Sequence, residues 1–177
     1  MERLVKIFLT VFAAVVVANL FTRFIDYKLD NLKNNPVKPT KYTTMAEREK
    51  QLECLAHNIY HEAAKESFEG KVAVAQVTIN RAESGIFPSD ICKVVYQKNV
   101  FMEKVVCQFS WYCEPQTRKK LLNNQAYDEC YGVAKKVLLE GFRLDVLNEA
   151  MYYHANYVNP KWGKQKIATI GNHIFYK

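Results

Sequence analysis

Leu52, Leu55, Ala56, Ile59 and Ala63 recur at helical spacing, so residues 52–63 carry one apolar face that the rest of the chain must cover. Just upstream, Thr44-Met45-Ala46-Glu47 matches a capping box, a hydroxyl followed three residues later by glutamate, and predicts where this helix opens. At about 100° per residue, Glu62 falls at the edge of the apolar face. A carboxyl group there is partly desolvated, which raises its pKa and lets it hold a proton near neutral pH, as a general acid must. The plainer alternative is a boundary glutamate capped by water or a lysine.

At 177 residues the chain has room for one domain with a proper core, and 49% hydrophobic with 24% charged residues excludes a disordered chain. The formal net charge is +7. Arg3, Lys6 and Arg23 stand against Glu2 in residues 1–25, so about +5 falls on the remainder. That excess suits an anionic surface such as peptidoglycan, lipid headgroups or nucleic acid. No dense Lys/Arg run is present, so nucleic acid is not indicated as a partner.

Residues 4–21, LVKIFLTVFAAVVVANLF, are apolar except for Lys6, Thr10 and Asn19, which is long enough to span a bilayer. Arg3 and Lys6 favour a cytoplasmic N-terminus and an exported remainder. A retained transmembrane anchor is favoured over a cleaved signal peptide, because Phe21 to Ile25 continue the apolar run. A buried core helix fits the flanking charge least well. The expected organisation is an anchor in the inner membrane over residues 1–25, a polar linker over 26–44 with Pro36 and Pro39, and one extracytoplasmic domain over 45–177.

Within that domain, Ser67 to Gly70 breaks the first helix, and Val72 to Arg81 reads as a second helix despite its β-branched content. Ser84 to Pro88 is a loop, and Ser89 or Asp90 caps a short helix running to Gln97. A longer helix is expected from about Asn123 to Glu140, with Gly141 as its C-cap. Ala150 to His154 and Lys166 to Tyr176 look like strands. The fold class is α+β, mainly helical with a small antiparallel hairpin or sheet. Five cysteines without a CxxC pair make a zinc ribbon unlikely, and in an oxidising compartment they would give two disulfides and one free thiol of undetermined connectivity.

Four ordered blocks carry a resemblance: NIYHEAAKESFEGKVAVAQVTINR, FPSDICKVVYQ, CQFSW, and AMYYHA with ATIGNHIFY. Over Leu52 to Lys177 they resemble the SleB/CwlJ-type cell wall hydrolase family, the spore-cortex-lytic-enzyme catalytic domain. The resemblance implies a lysozyme-like fold with a groove. It also implies cleavage of peptidoglycan glycan strands at the N-acetylmuramic acid to N-acetylglucosamine linkage, often by lytic transglycosylation, with Glu62 as the catalytic acid. It places Gln108, Phe109, Ser110 and Trp111 along the groove, with Tyr152, Tyr153, Asn172 and His173 in the strand blocks beside it. Phe109 and Trp111 have core packing as their alternative. Glu66, four residues past Glu62, has an electrostatic or substrate-binding role as one reading and a hydrated or backbone-bound helix end as the other. Cys54, Cys92, Cys107 and Cys113 fall in or beside the family blocks, which implies that they are the bridged set and leaves Cys130 over. The family pattern often has glycine in place of His61, and the cysteine set resembles members from Gram-negative bacteria and their phages.

One carboxylate suffices for a lytic transglycosylase, so neither a cofactor nor a metal is expected. The competing enzyme reading is a zinc amidase with His57 and His61 on one helix face and His154 or His173 as third ligand. Glu62 follows the second histidine, so the spacing is not HExxH. The non-catalytic reading is an anchored peptidoglycan-binding module.

Overall fold

The computed structural model describes residues 14–26, 42, 44–118 and 124–177. Two compact units are separated, residues 1–41 and residues 42–177. In the first, residues 14–26 form helix α1, with Val15, Val16, Val17, Leu20, Phe21 and Phe24 exposed. The expected membrane segment begins at residue 4, and residues 4–13 lie outside the described residues. Among the described residues no helix is long and apolar enough to cross a membrane.

The second unit is mainly helical with two small antiparallel sheets. Helix α2 spans Met45–Ala63 and opens on the expected cap, where Thr44 Oγ1 accepts from the Glu47 amide at 3.1 Å. Tyr42 packs into the core ahead of it. Helix α3 spans Phe68–Glu83 and starts earlier than its apolar run suggests, because Ser67 is its cap and accepts from the Gly70 amide. Asp90 caps α4, Ile91–Val95. A hairpin follows, β1 Lys98–Phe101 and β2 Lys104–Cys107, then the single turns α5 Ser110–Cys113 and α6 Pro115–Arg118. Helix α7 spans Asn124–Leu138, and Gly141 ends it at φ 72°. After a 3-10 turn at Asp145–Leu147 come β3 Tyr152–Ala155, β4 Lys166–Ile170 and β5 His173–Tyr176, in the sheet order β3-β5-β4. The C-terminal part is therefore three-stranded, and a separate hairpin stands at residues 98–107.

Helix α3 is the centre of the domain, and every residue from Gly70 to Ala82 is buried. Its polar side chains survive there because each is spent on a neighbour. Gln76 pairs with both backbone groups of Leu144, accepting at 2.8 Å and donating at 3.1 Å. Asn80 donates to the carbonyls of Leu147 and Ala150. Lys71 meets Glu129 of α7 at 2.9 Å. These bonds dock the 144–151 connector on α3 and deliver the chain into β3. Successive strand residues point to opposite faces. Phe175 therefore packs inward on Ala73 and Val77, with Tyr153 beside it, while Tyr152, His154 and Tyr176 point away from α3.

Two disulfides close within this frame, Cys54–Cys92 between α2 and α4 and Cys107–Cys113 between β2 and α5. Cys130 is the free, buried thiol of α7, so the bridged set is the one the family blocks implied.

Candidate functional site

The last turn of α2 carries Glu62, half-buried and facing β3. Tyr153 donates its hydroxyl to Glu62 Oε2 at 3.1 Å. Burial pushes the Glu62 carboxyl above the usual carboxylate range; the Tyr153 hydrogen bond and the charge of Arg81 pull the other way, and Glu114 adds to the rise. Tyr153 itself is driven well above the ordinary tyrosine range, by burial first and then by the Glu62 charge, so its hydroxyl stays a donor.

Arg81, near the end of α3, is 4% exposed. Its guanidinium lies over the rings of Phe87 at 5.3 Å and Phe109 at 5.2 Å, and Nε donates to the Met151 carbonyl at 2.8 Å. Nη1 is buried with no hydrogen-bond partner. A fixed cation thus sits behind the acid, screened from water by two aromatic rings.

Glu66 does not share a helix face with Glu62. Helix α2 stops at Ala63, and the chain turns so that Glu66 accepts from Asn172 twice, from Nδ2 at 2.9 Å and from the backbone amide at 3.1 Å. Burial works to raise the Glu66 pKa, and the two Asn172 hydrogen bonds outweigh it, so the group stays ionised below the usual range. The backbone-bound alternative for Glu66 is the one the structure shows, and Glu66 and Asn172 clamp the β4–β5 turn. A Cβ on Gly171 would lie 2.0 Å from Glu66 Oε2, at a positive φ of 56°. Gly171→Ala is expected to cost about 2 kcal/mol or more from the left-handed backbone and the clash together. Chemical denaturation measures it.

Phe109 and Trp111 pack into the core, the alternative open to both. They are 3% and 4% exposed, so protein already covers the faces that a sugar would need. Trp111 donates Nε1 to Asn58 at 3.0 Å and stacks on His61 at 4.2 Å, while Phe109 lies against Arg81. Ser110 is exposed at the start of α5, and Gln108 is half-buried, its backbone N–H donating to the backbone carbonyl of Gln97. His173 is buried edge-on against Tyr153 at 5.2 Å, and burial lowers its pKa.

The rings of His57 and His61 lie 6.4 Å apart, and each of the four histidines also meets another residue. His57 meets Tyr127, His61 stacks on Trp111, His154 bonds to Tyr176 and the Ala155 carbonyl, and His173 packs on Tyr153. Among the described residues no three His, Cys, Asp or Glu side chains gather as a metal site would require.

The cell wall hydrolase family model matches residues 65–176. The chain belongs to the cell wall hydrolase family. It is similar to the spore cortex-lytic enzyme of Bacillus subtilis, 28% identical over 156 residues that cover 80% of this chain and 44% of the relative. The spore cortex-lytic enzyme of Oceanobacillus iheyensis is also 28% identical, over 71% of this chain and 41% of its own length. The chain thus spans less than half the length of these relatives. Among solved structures it is similar to the catalytic domain of the Bacillus cereus SleB protein, with 25% identity and a TM-score of 0.55 over 81% of this chain and 98% of that one. The catalytic domain of the germination-specific lytic transglycosylase SleB from Bacillus anthracis matches with 25% identity and a TM-score of 0.53, over 78% and 99%. This cell wall hydrolase domain is therefore the enzyme fold of the SleB-like members. The family match starts just past Glu62. An alignment covering 71% or more of the chain includes position 62 wherever it begins.

Arg81 and Glu114 were not readable as site residues. Arg81 closes an apolar run and looks like an ordinary helix-end charge, and nothing in its spacing reports that Phe87 and Phe109 fold over it.

Proposed function

We propose that the domain cleaves peptidoglycan glycan strands at the N-acetylmuramic acid to N-acetylglucosamine linkage by lytic transglycosylation, with Glu62 as the acid and then the base. One observation carries this reading: a carboxyl in the last turn of α2 whose pKa burial raises, with Tyr153 donating to one oxygen. Glu62 gives its proton to the glycosidic oxygen as the C1–O bond breaks and the electron pair leaves with that oxygen. The resulting carboxylate takes the proton of the muramoyl 6-hydroxyl as the new O6–C1 bond forms, so no water is consumed. The substrate's N-acetyl group stabilises the oxocarbenium-like centre, and no protein nucleophile is required. Ser110 and Gln108 are proposed as sugar contacts, and Tyr153 and His173 hold the acid's side of the groove. Glu66 and Asn172 serve the substrate through the turn they clamp. The test is release of soluble muropeptides from purified sacculi, with products weighed by mass spectrometry. An anhydro product, lighter by one water, supports the reading.

Glu114 favours a second reading. Among the described residues its charge is the one carboxylate influence on Glu62, and it is exposed. As a base activating water it would make the enzyme a hydrolase, and the product would then carry the extra water.

Arg81 tunes the proton transfer in either case. Removing a cation raises a neighbouring carboxyl pKa, so Arg81→Met should keep Glu62 protonated to higher pH and move the alkaline limb of the activity profile up by about one unit. Arg81→Lys should keep the limb in place. The pH–rate profile of muropeptide release measures both.

Residues 4–21 are proposed to hold the chain in the inner membrane, with residues 42–177 on the outer side of it. The basis is the apolar run and its flanking charge. Alkaline extraction of membranes tests it.

A further inference from the structure

After Glu149 the chain contains no acidic residue, yet Lys161, Lys164, Lys166 and Lys177 all follow. Lys177 is paired with Glu149 at 2.9 Å. Lys161 and Lys164 lie on the segment leading into β4, around Trp162, and Lys166 is the first residue of β4. Trp162 is 42% exposed, yet it is not loose. Its indole stands roughly edge-on to His154 at 5.5 Å, Tyr176 at 5.8 Å and Tyr152 at 6.4 Å. His154 in turn stacks on Tyr176 and bonds to its hydroxyl at 2.8 Å. Lys164 Nζ lies over the Tyr152 ring at 3.4 Å. An exposed indole fixed on three rings presents a flat apolar surface that a ligand can use with little ordering cost.

This face lies on the side of the sheet opposite to Glu62. Tyr153 reaches Glu62, and the next residue back, Tyr152, points to the other side of the sheet. Tyr152 touches both Trp162 and Phe87, each at 6.4 Å, and Phe87 covers the Arg81 guanidinium. Ring contacts therefore run from Trp162 through Tyr152 to Phe87, which covers the Arg81 guanidinium whose charge acts on Glu62.

We propose that the outer face of the C-terminal sheet is a second contact for the peptidoglycan strand, with Trp162 stacking on a sugar ring beyond the cleavage point and Lys161, Lys164 and Lys166 binding the carboxylates of its stem peptides. The inference rests on peptidoglycan being the substrate at Glu62. A pyranose offers a face of C–H bonds to an indole, and stem peptides supply anions close to that face. A glycan without peptides offers only the first.

The experiment is co-sedimentation of the full chain with purified sacculi in a Glu62→Gln background, where the wall is not digested during the measurement. Adding Trp162→Ala is expected to weaken binding about tenfold. Trp162→Phe keeps an aromatic face and is expected to restore most of it, which separates lost stacking from lost folding. Replacing Lys161, Lys164 and Lys166 together by Gln should weaken binding and flatten its salt dependence. That effect should vanish on sacculi stripped of peptides, while the Trp162 effect should remain. Equal binding with and without Trp162→Ala would overturn the proposal, as would tighter retention on DNA than on sacculi. Binding needs no turnover, so a wild-type chain that fails to digest sacculi would sink the glycosidase reading and leave this test readable.

Discussion

Glu62→Gln is expected to lower muropeptide release by about 10³-fold and, at neutral pH, to raise the melting temperature by roughly 2–4 °C. Glutamine keeps the shape and can still accept from Tyr153, so the loss of rate isolates the proton. The gain in stability follows from the direction of the pKa. A carboxyl whose folded-state pKa is raised binds its proton more tightly in the folded state, so its contribution is fully present below the unfolded value of about 4.5. That contribution is lost as pH climbs through the raised value, beyond which the folded chain holds a poorly solvated carboxylate. Wild type and Glu62→Gln should therefore melt together in acid and separate as pH increases. Calorimetry across that range measures the gap. A variant less stable than wild type at alkaline pH would mean that the carboxylate is held by favourable pairing, and the general-acid assignment would fall.

The place of Glu62 on its helix was legible in the sequence because two local rules agree on it. The Thr44 cap sets the start of α2, and the apolar spacing from Leu52 to Ala63 sets its buried side. Glu66 was harder because a helical wheel assumes that the helix continues. It ends at Ala63, and what Glu66 does next depends on Asn172, more than a hundred residues away. The Lys98–Cys107 hairpin gave no turn signal, since Met102 and Glu103 adopt positive φ where glycine or asparagine would announce the reversal. Phe109 and Trp111 show a different limit. An aromatic residue in a family block fits a core and a sugar platform equally well, and only burial separates them. Trp162 is the reverse case, passed over between two strand-like segments although its ring is exposed.

Replacing Cys54 and Cys92 together by alanine is expected to cost about 4 kcal/mol, from the chain-entropy value for a bridge between residues 38 apart. At roughly 2–4 °C per kcal/mol, the melting temperature should drop by about 8–16 °C. The same arithmetic gives Cys107–Cys113, with a separation of 6, about 2 kcal/mol. The longer bridge matters more for a second reason, because Cys54 lies on the helix whose last turn carries Glu62. The joint should survive its loss in weakened form, since Gln51 donates to Asp90 at 2.7 Å and accepts from the Cys92 amide at 3.2 Å. Burial pushes the Cys130 thiol up to about 11, so it contributes little thiolate to shuffle the bridges. A domain that draws this much on disulfides reaches full stability only where thiols oxidise, which supports the proposed placement outside the cytoplasm. A melting temperature unchanged in the double variant, or under reductant, would show that the Gln51 latch alone holds α2 to α4 and would remove that support.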